Sequence, residues 1–129
     1  MTTSILVVDD AAMVRAQLRG ALGQAGYVAL EAADGLEALA QLAAHASSVK
    51  LIICDVHMPN MNGLELLERL HVMGSTTPVI ILTAEADPEI IRRAKALGAR
   101  SWLMKPLKVE YMAALVAKVV ASSADAGPP

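Results

Sequence analysis

Phenylalanine is absent from this 129-residue chain, whose aromatic side chains are two tyrosines and one tryptophan. Hydrophobic residues still make up 55% of the sequence, so aliphatic side chains and methionine must fill the core. The single cysteine, Cys54, excludes an internal disulfide. Because it lies in an apolar run, we interpret it as a small buried residue rather than a reactive thiol. The length suits one domain with a real core.

Long apolar runs are also lacking, since none approaches the roughly 20 residues that cross a bilayer. Residues Met1–Ser4 lack the basic start and apolar stretch of a secretory signal. These absences predict a cytoplasmic protein that does not contact a membrane. The net charge of −2 is too small to steer the whole molecule toward nucleic acid. Charge is uneven, however: residues 1–87 carry 10 acids and 4 bases, and residues 88–120 carry 7 bases and 2 acids.

Five short apolar runs recur along the chain and predict β-strands. Three are unbroken aliphatic runs that end in polar residues, as is typical of strands buried on both faces. The weakest of the five runs, Tyr27–Leu30, is expected at a sheet edge. The five runs are Ile5–Val8, Tyr27–Leu30, Leu51–Cys54, Val79–Leu82 and Trp102–Met104.

Apolar residues at helical spacing follow each of these runs. The second helix, for example, is expected to face the core with Leu36, Leu39, Leu42 and Ala43. Glycines that predict helix ends follow three of the helices, at Gly26, Gly74 and Gly98.

Alternation of strand and helix predicts an α/β fold, a doubly wound five-stranded parallel sheet with helices on both faces. We expect this domain to occupy residues 1–121. Residues 122–129 are small and polar and end in two prolines, so we expect a flexible tail or the start of a linker there.

Polar side chains at the ends of the predicted strands carry the functional signal. They are Asp9 and Asp10 after the first strand, Asp55 after the third, Thr83 after the fourth and Lys105 after the fifth. Because the strands of a parallel sheet point the same way, these side chains should meet at one edge, where open α/β sheets bind ligands.

The residue types predict the chemistry of that edge. Three neighbouring carboxylates repel one another unless a cation lies among them. Oxygen ligands without a nearby His or Cys pair favour a hard ion such as Mg²⁺, with Mn²⁺ as a substitute. A carboxylate beside a divalent cation and a lysine is suited to attack a phosphorus centre. The sequence therefore predicts a phosphoryl acceptor at Asp55.

Four short motifs, in this order and spacing, resemble the receiver domain of two-component response regulators, particularly the stand-alone chemotaxis type. The resemblance covers roughly residues 4–121. The motifs are Val7-Val8-Asp9-Asp10, Asp55-Val56-His57-Met58-Pro59 with Gly63, Thr83-Ala84, and Lys105-Pro106.

The resemblance implies a flavodoxin-like strand order, 2-1-3-4-5, and a signalling domain rather than an enzyme, one that catalyses only its own phosphorylation and dephosphorylation. It implies that Asp55 takes phosphate from the phosphohistidine of a sensor histidine kinase or a histidine phosphotransfer protein. Asp9, Asp10, Asp55 and the backbone carbonyl of His57 would hold Mg²⁺. Thr83 would contact the phosphoryl oxygens, and Lys105, with a cis bond to Pro106, would pair with Asp55.

Further roles follow from the same resemblance. Trp102 stands where the family usually has Tyr or Phe, and with Thr83 would form the switch. His57 and Glu85 would tune the lifetime of the phosphate. The kinase would dock on the first helix, at Met13, Gln17 and Gly20. The output face would be helix 4, strand 5 and helix 5. Because this third of the chain is basic, we expect an acidic protein partner there rather than nucleic acid, with contacts at Arg92, Arg93, Lys95 and Lys108.

Other interpretations of the same residues exist. Asp9-Asp10 could simply cap a helix, and Lys105-Pro106 could be an ordinary turn. A haloacid dehalogenase-type phosphatase also uses a strand-end Asp, but it has a second Asp where this chain has His57, and it needs a cap. A flavodoxin-like FMN carrier would need a phosphate-binding first loop, which Asp9-Asp10 would repel. A degenerate receiver would lack one of the acidic or lysine positions.

Overall fold

The computed structural model describes residues 3–84, 87–106 and 108–125, and these form alternating strands and helices. The strands are β1 (Ser4–Val8), β2 (Val28–Ala32), β3 (Val49–Asp55), β4 (Val79–Thr83) and β5 (Ser101–Met104). The helices are α1 (Ala12–Gln24), α2 (Gly35–His45), α3 (Gly63–Val72), α4 (Pro88–Ala96) and α5 (Val109–Asp125). None of the described helices is long and apolar enough to cross a membrane.

The strands form one parallel sheet in the order β2-β1-β3-β4-β5. This confirms the predicted fold class and the edge position of the second strand. The observed β2 is shifted along the chain, because it starts after Tyr27 and continues through Glu31 and Ala32. Its register is set by β1, where Val8 pairs with Ala32.

Side chains on the two faces of the sheet fill two separate core layers. Along β1, Ile5 and Val7 point to one face and Leu6 and Val8 to the other, and all are fully buried. Helices α1 and α5 cover the first face, and α2, α3 and α4 cover the second. The residues that do so include Leu18, Leu22, Met112 and Val116 on the first face and Ala38, Leu66, Leu67 and Ala94 on the second.

Three of the helices end just before a glycine, as the sequence predicted. Gly26, Gly74 and Gly98 follow α1, α3 and α4 with φ angles of 94°, 73° and 94°. Residues with a side chain rarely adopt this left-handed conformation, so glycine stops each helix at low cost.

The predicted core face of α2 was partly wrong. Leu36 is 54% exposed, whereas the small residue Ala38 is fully buried. The side chain of Asp34 caps the helix by accepting the backbone N–H of Glu37, and Gly35 packs tightly on Met61. These contacts at the start of α2 fix its rotation, and apolar spacing alone does not contain them.

The last helix continues to Asp125, through the first four residues of the segment expected to be a tail or linker. Residues 126–129 lie outside the described part of the chain. The role of residues 122–129 stays a prediction.

Candidate functional site

The carboxyl edge of the sheet brings the predicted site residues together. Asp9 directly follows β1, Asp55 ends β3, Thr83 ends β4, and Lys105 directly follows β5. Parallel pairing in register places these four strand ends side by side. Asp9, Asp55 and Thr83 are buried, with 1%, 7% and 2% of their surface exposed.

Three carboxylates and one lysine form what we call the acidic pocket: Asp9, Asp10, Asp55 and Lys105. One carboxylate oxygen from each aspartate lies within 4.8 Å of the others. The Nζ atom of Lys105 lies 2.9 Å from Oδ2 of Asp9 and 3.1 Å from Oδ2 of Asp55. The ammonium thus bridges the two buried carboxylates and offsets part of their repulsion.

The other oxygen of each buried carboxylate is held by the backbone beside it. Asp55 Oδ1 accepts the N–H of Val56 at 2.7 Å, and Asp9 Oδ1 accepts the N–H of Ala11 at 2.8 Å. Ala11 itself is the N-cap of α1, with no side-chain cap, so neither Asp9 nor Asp10 caps this helix. The helix-capping interpretation of the acidic pair was therefore wrong.

Gly63 lets the start of α3 approach the backbone of Asp55. A Cβ atom at this position would lie 2.2 Å from the carbonyl oxygen of Asp55, a distance that no side chain tolerates. Its N–H donates to the carbonyl of Val56 at 2.9 Å. Asn62 accepts the N–H of Glu65 and completes a capping box with it, so this residue starts α3.

A divalent cation fits the oxygens of this pocket. Asp9 Oδ2 is buried and, among the described residues, has no aligned hydrogen-bond donor, although Lys105 pairs with it by charge. A buried carboxylate oxygen with open coordination, beside two further carboxylates, offers what a hard cation requires. The donors are oxygens alone, which favours Mg²⁺ or Mn²⁺ over softer metals.

Lys105 keeps its positive charge in this setting. Partial burial acts to lower its pKa, but the carboxylates of Asp9 and Asp55 together outweigh burial and raise the pKa above the usual value. The peptide bond between Lys105 and Pro106 is cis, as the resemblance implied.

Cys54 lies beside the pocket without a nucleophilic role. It is buried, and burial together with the charges of Asp55 and Asp9 raises the pKa of its thiol far above the physiological range. The thiolate form is therefore disfavoured, in agreement with the interpretation from sequence.

Trp102 lies on β5 and packs, half-buried, against the core layer under α4. The ammonium of Lys95, on α4, lies 4.7 Å from the centre of its ring, within the range of a cation–π contact. Sequence reasoning placed Lys95 on an output face and did not foresee this contact.

The other predicted positions that the structure describes are exposed. The side chain of His57 is exposed, and Glu85 lies outside the described residues. Met13, Gln17 and Gly20 are exposed on α1, as expected. The four basic residues of the predicted output face are exposed as well: Arg92, Arg93, Lys95 and Lys108.

One neighbour of the pocket was missed by sequence reasoning. Arg15 donates through Nη1 to the backbone carbonyl of Asp9 at 2.6 Å and through Nε to Oε1 of Glu31 at 3.1 Å. The only sequence signal for this contact is that Arg15 follows Asp9 by six residues and lies in the first turns of the next helix, α1.

Fold and pocket together define an open α/β protein with an acidic, lysine-bridged site at the carboxyl edge of its sheet. Comparison with known proteins agrees. The family model of the response regulator receiver domain matches residues 5–117. This chain therefore belongs to the response regulator receiver domain family, whose members are signalling domains of two-component phosphorelays.

Individual relatives differ in length. Sporulation initiation phosphotransferase F of Bacillus subtilis (strain 168) is 33% identical over 118 residues, which cover 92% of this chain and 94% of that protein. Regulator of RpoS of Escherichia coli (strain K12) is 38% identical over 104 residues, 81% of this chain but only 30% of that protein. The chain thus spans less than a third of the longer relative.

Solved structures give the same fold. The chemotaxis protein CheY4 of Vibrio cholerae superposes with a TM-score of 0.84 at 36% identity, over 92% of this chain and 99% of that one. The strand order 2-1-3-4-5 and the receiver fold are thereby shown.

Proposed function

We propose that this receiver is a phosphorylation switch in which Asp55 accepts a phosphoryl group from the phosphohistidine of a sensor histidine kinase or a histidine phosphotransfer protein. The observation that carries the proposal is the bridge from Lys105 to Asp55 and Asp9 inside the acidic pocket. It places a fixed positive charge against the carboxylate of Asp55, at the sheet edge where ligands of such folds bind.

In the proposed reaction, a carboxylate oxygen of Asp55 forms a bond to phosphorus while the bond from phosphorus to the donor imidazole nitrogen breaks. The electron pair of that bond leaves with the imidazole. Asp9, Asp10, Asp55 and the carbonyl of His57 would hold Mg²⁺, which neutralises negative charge on the transferring group. Lys105 supplies a further positive charge, and the hydroxyl of Thr83 donates to a phosphoryl oxygen.

The acyl phosphate would change the surface through Thr83 and Trp102. Added phosphate charge draws Thr83 inward at the end of β4, and Trp102 follows into the space it leaves. The surface formed by α4, β5 and α5 then differs between the two states, as a switch requires. We propose an acidic protein partner there, contacted by Arg92, Arg93, Lys95 and Lys108.

Two residues, His57 and Glu85, are proposed to tune how long the phosphate persists. His57 and Glu85 each lie two residues beyond a site residue, where they would control the approach of the attacking water. His57→Ala with Glu85→Ala should change the dephosphorylation rate several-fold and leave phosphorylation possible. Equal phosphate lifetimes in the variant and the unmodified protein would refute this role.

Incubation with acetyl phosphate and Mg²⁺ tests the function and separates it from hydrolysis. A switch gains one acid-stable, base-labile phosphoryl group per chain, as intact-mass measurement would show. A phosphatase would instead release inorganic phosphate over many turnovers and accumulate no stable adduct. Turnover without an adduct would therefore overturn the proposal.

A further inference from the structure

Arg15 makes two directional contacts that join three elements next to the acidic pocket. From α1, its guanidinium reaches back to the carbonyl oxygen of Asp9 and sideways to the carboxylate of Glu31 on β2. Its side chain is 19% exposed, so both contacts are largely shielded from water. A planar guanidinium presents donors on separate nitrogens, here Nε and Nη1, to two acceptors at a fixed angle, whereas a lysine carries all its donors on one atom.

Glu31 is itself firmly positioned. Its second carboxylate oxygen accepts Arg19 Nη1 at 2.6 Å, and its backbone carbonyl accepts the amide of Gln41 at 2.9 Å. The two arginines lower the pKa of Glu31, with Arg19 the larger cause, so the carboxylate stays ionised. Glu31 thus fixes the plane in which the guanidinium of Arg15 lies.

Asp9 has its other hydrogen-bonding groups engaged in the loop. Its N–H donates to the carbonyl of Ala32, its Oδ1 accepts Ala11, and its carbonyl accepts Arg15. Oδ2 is left to face Lys105 and the interior of the acidic pocket. Arg15 therefore completes the set of contacts that orients this carboxylate.

Asp10 depends on the same contact. It is exposed and makes no hydrogen bond or ion pair with the residues that the structure describes. Its orientation consequently follows the peptide unit that links it to Asp9. The carbonyl oxygen of that unit is the atom that Arg15 holds.

We propose that Arg15 is a positioning residue for the metal site, fixing the peptide unit between Asp9 and Asp10 so that both carboxylates face one cation. This inference rests on the proposed function, since it assumes that the acidic pocket binds Mg²⁺. The two possible roles of Arg15 predict opposite changes in Mg²⁺ affinity. If only its charge mattered, removing the guanidinium should strengthen Mg²⁺ binding, because like charges repel. If Arg15 positions the ligands, removing it should weaken Mg²⁺ binding.

Magnesium titration of the purified protein, followed by the shifts of backbone amide resonances, tests the sign. Arg15→Ala should weaken Mg²⁺ binding by roughly tenfold, the lower range for loss of a residue that orients metal ligands. Arg15→Lys keeps the charge but holds only one of the two acceptors, so its binding should be weakened as well. Thermal melting without Mg²⁺ establishes that each variant is folded.

Arg19→Ala is the matched control, because Arg19 contacts Glu31 but does not reach the Asp9 carbonyl. Its Mg²⁺ affinity should stay within about twofold of the unmodified protein. Unchanged or tighter Mg²⁺ binding by Arg15→Ala, or full affinity in Arg15→Lys, would overturn the inference. If the unmodified protein itself bound no Mg²⁺, the proposed metal site would fail instead, so the two failures are distinguishable.

Discussion

At the scale of single residues, Asp34 shows how a buried carboxylate shapes the loop that follows Asp55. It is 5% exposed, and its Oδ2 accepts the amide of Asn60 at 2.7 Å. Asn60 has a φ of 63° and belongs to the loop from Asp55 to Gly63. The N–H of Gly35 also donates to the carbonyl of Met61 in that loop. The start of α2 thus anchors the backbone that carries His57.

Asp34→Asn should destabilise the fold at neutral pH by about 1 kcal/mol. The two oxygens of Asp34 accept from Glu37 and Asn60, and the variant would replace one of these acceptors with an NH₂ group that faces a donor. The hydrogen bonds from the amide of Asn60 and the N–H of Glu37 lower the pKa of Asp34 below its ordinary value. A lowered pKa stabilises the fold above the unfolded-state value and loses its contribution as pH falls through the folded-state value. Denaturant unfolding measured between pH 7 and pH 3 checks both statements.

The difference in unfolding free energy between Asp34→Asn and the unmodified protein should shrink as pH falls below about 4. Asp87→Asn serves as a control, since Asp87 caps α4 through the N–H of Glu89 but is exposed. Its cost should be only a few tenths of a kcal/mol. A difference for Asp34→Asn that stays constant with pH would show that its charge is not involved.

At the scale of elements, the contact between α4 and β5 bears on the proposed switch. Lys95 stacks on Trp102 in the present state, and such contacts contribute about 0.5–1 kcal/mol when partly exposed. If Trp102 moves inward on activation, this contact is lost. Lys95→Met should therefore ease activation.

Beryllofluoride with Mg²⁺, followed by the emission of Trp102, measures this effect. Lys95→Met should lower the concentration for half-maximal change by about two- to fivefold, the equivalent of that contact energy. Arg93→Met removes the same charge from the exposed surface of α4 and should leave the midpoint unchanged. An unaltered midpoint in Lys95→Met would mean that the ring keeps its partner in both states.

Helix α1 is the proposed docking element for the phosphodonor. Met13 is 76% exposed at the end of α1 nearest the acidic pocket, next to Gln17 and Gly20 on the surface. Exposed methionine is an adaptable apolar contact for a partner helix. A charge there should disturb docking without disturbing the pocket.

Met13→Glu should slow phosphotransfer from a phosphorylated histidine kinase by about fivefold or more, as loss of an interface contact worth about 1 kcal/mol implies. The rate with acetyl phosphate, which needs no docking, should not change. Gln24→Glu at the far end of α1 is the control and should transfer normally. Equal slowing with both donors would mean that Met13 supports the pocket itself.

At the scale of the whole molecule, the sequence predicted the sheet and the pocket because both depend on regular patterns. Buried runs that end in Asp9, Asp55 and Thr83 locate the strand ends, and parallel topology then brings those ends together. The contacts of Arg15 with Asp9 and of Lys95 with Trp102 were not predictable. Long flexible side chains can reach several partners on neighbouring elements, and the spacing of residues in the sequence does not determine which partner they contact.

Magnesium should stabilise the entire fold if the acidic pocket relieves its repulsion by binding a cation. Linkage gives about 2.7 kcal/mol at a hundredfold excess over the Kd. Asp10→Asn should lose most of that increment, because Asp10 offers one of the three carboxylates. Melting temperatures with and without millimolar Mg²⁺ check this, and temperatures indifferent to Mg²⁺ would contradict the metal site.

Covalent labelling of Asp55 tests the central claim most directly. The protein and its Asp55→Asn variant are incubated with acetyl phosphate and Mg²⁺, and their intact masses are compared. The unmodified protein should gain one phosphoryl group, whereas the variant should gain none, because an amide is not a competent nucleophile here. Asp87→Asn, altered outside the pocket, should be labelled normally. Undiminished labelling of Asp55→Asn would contradict the account.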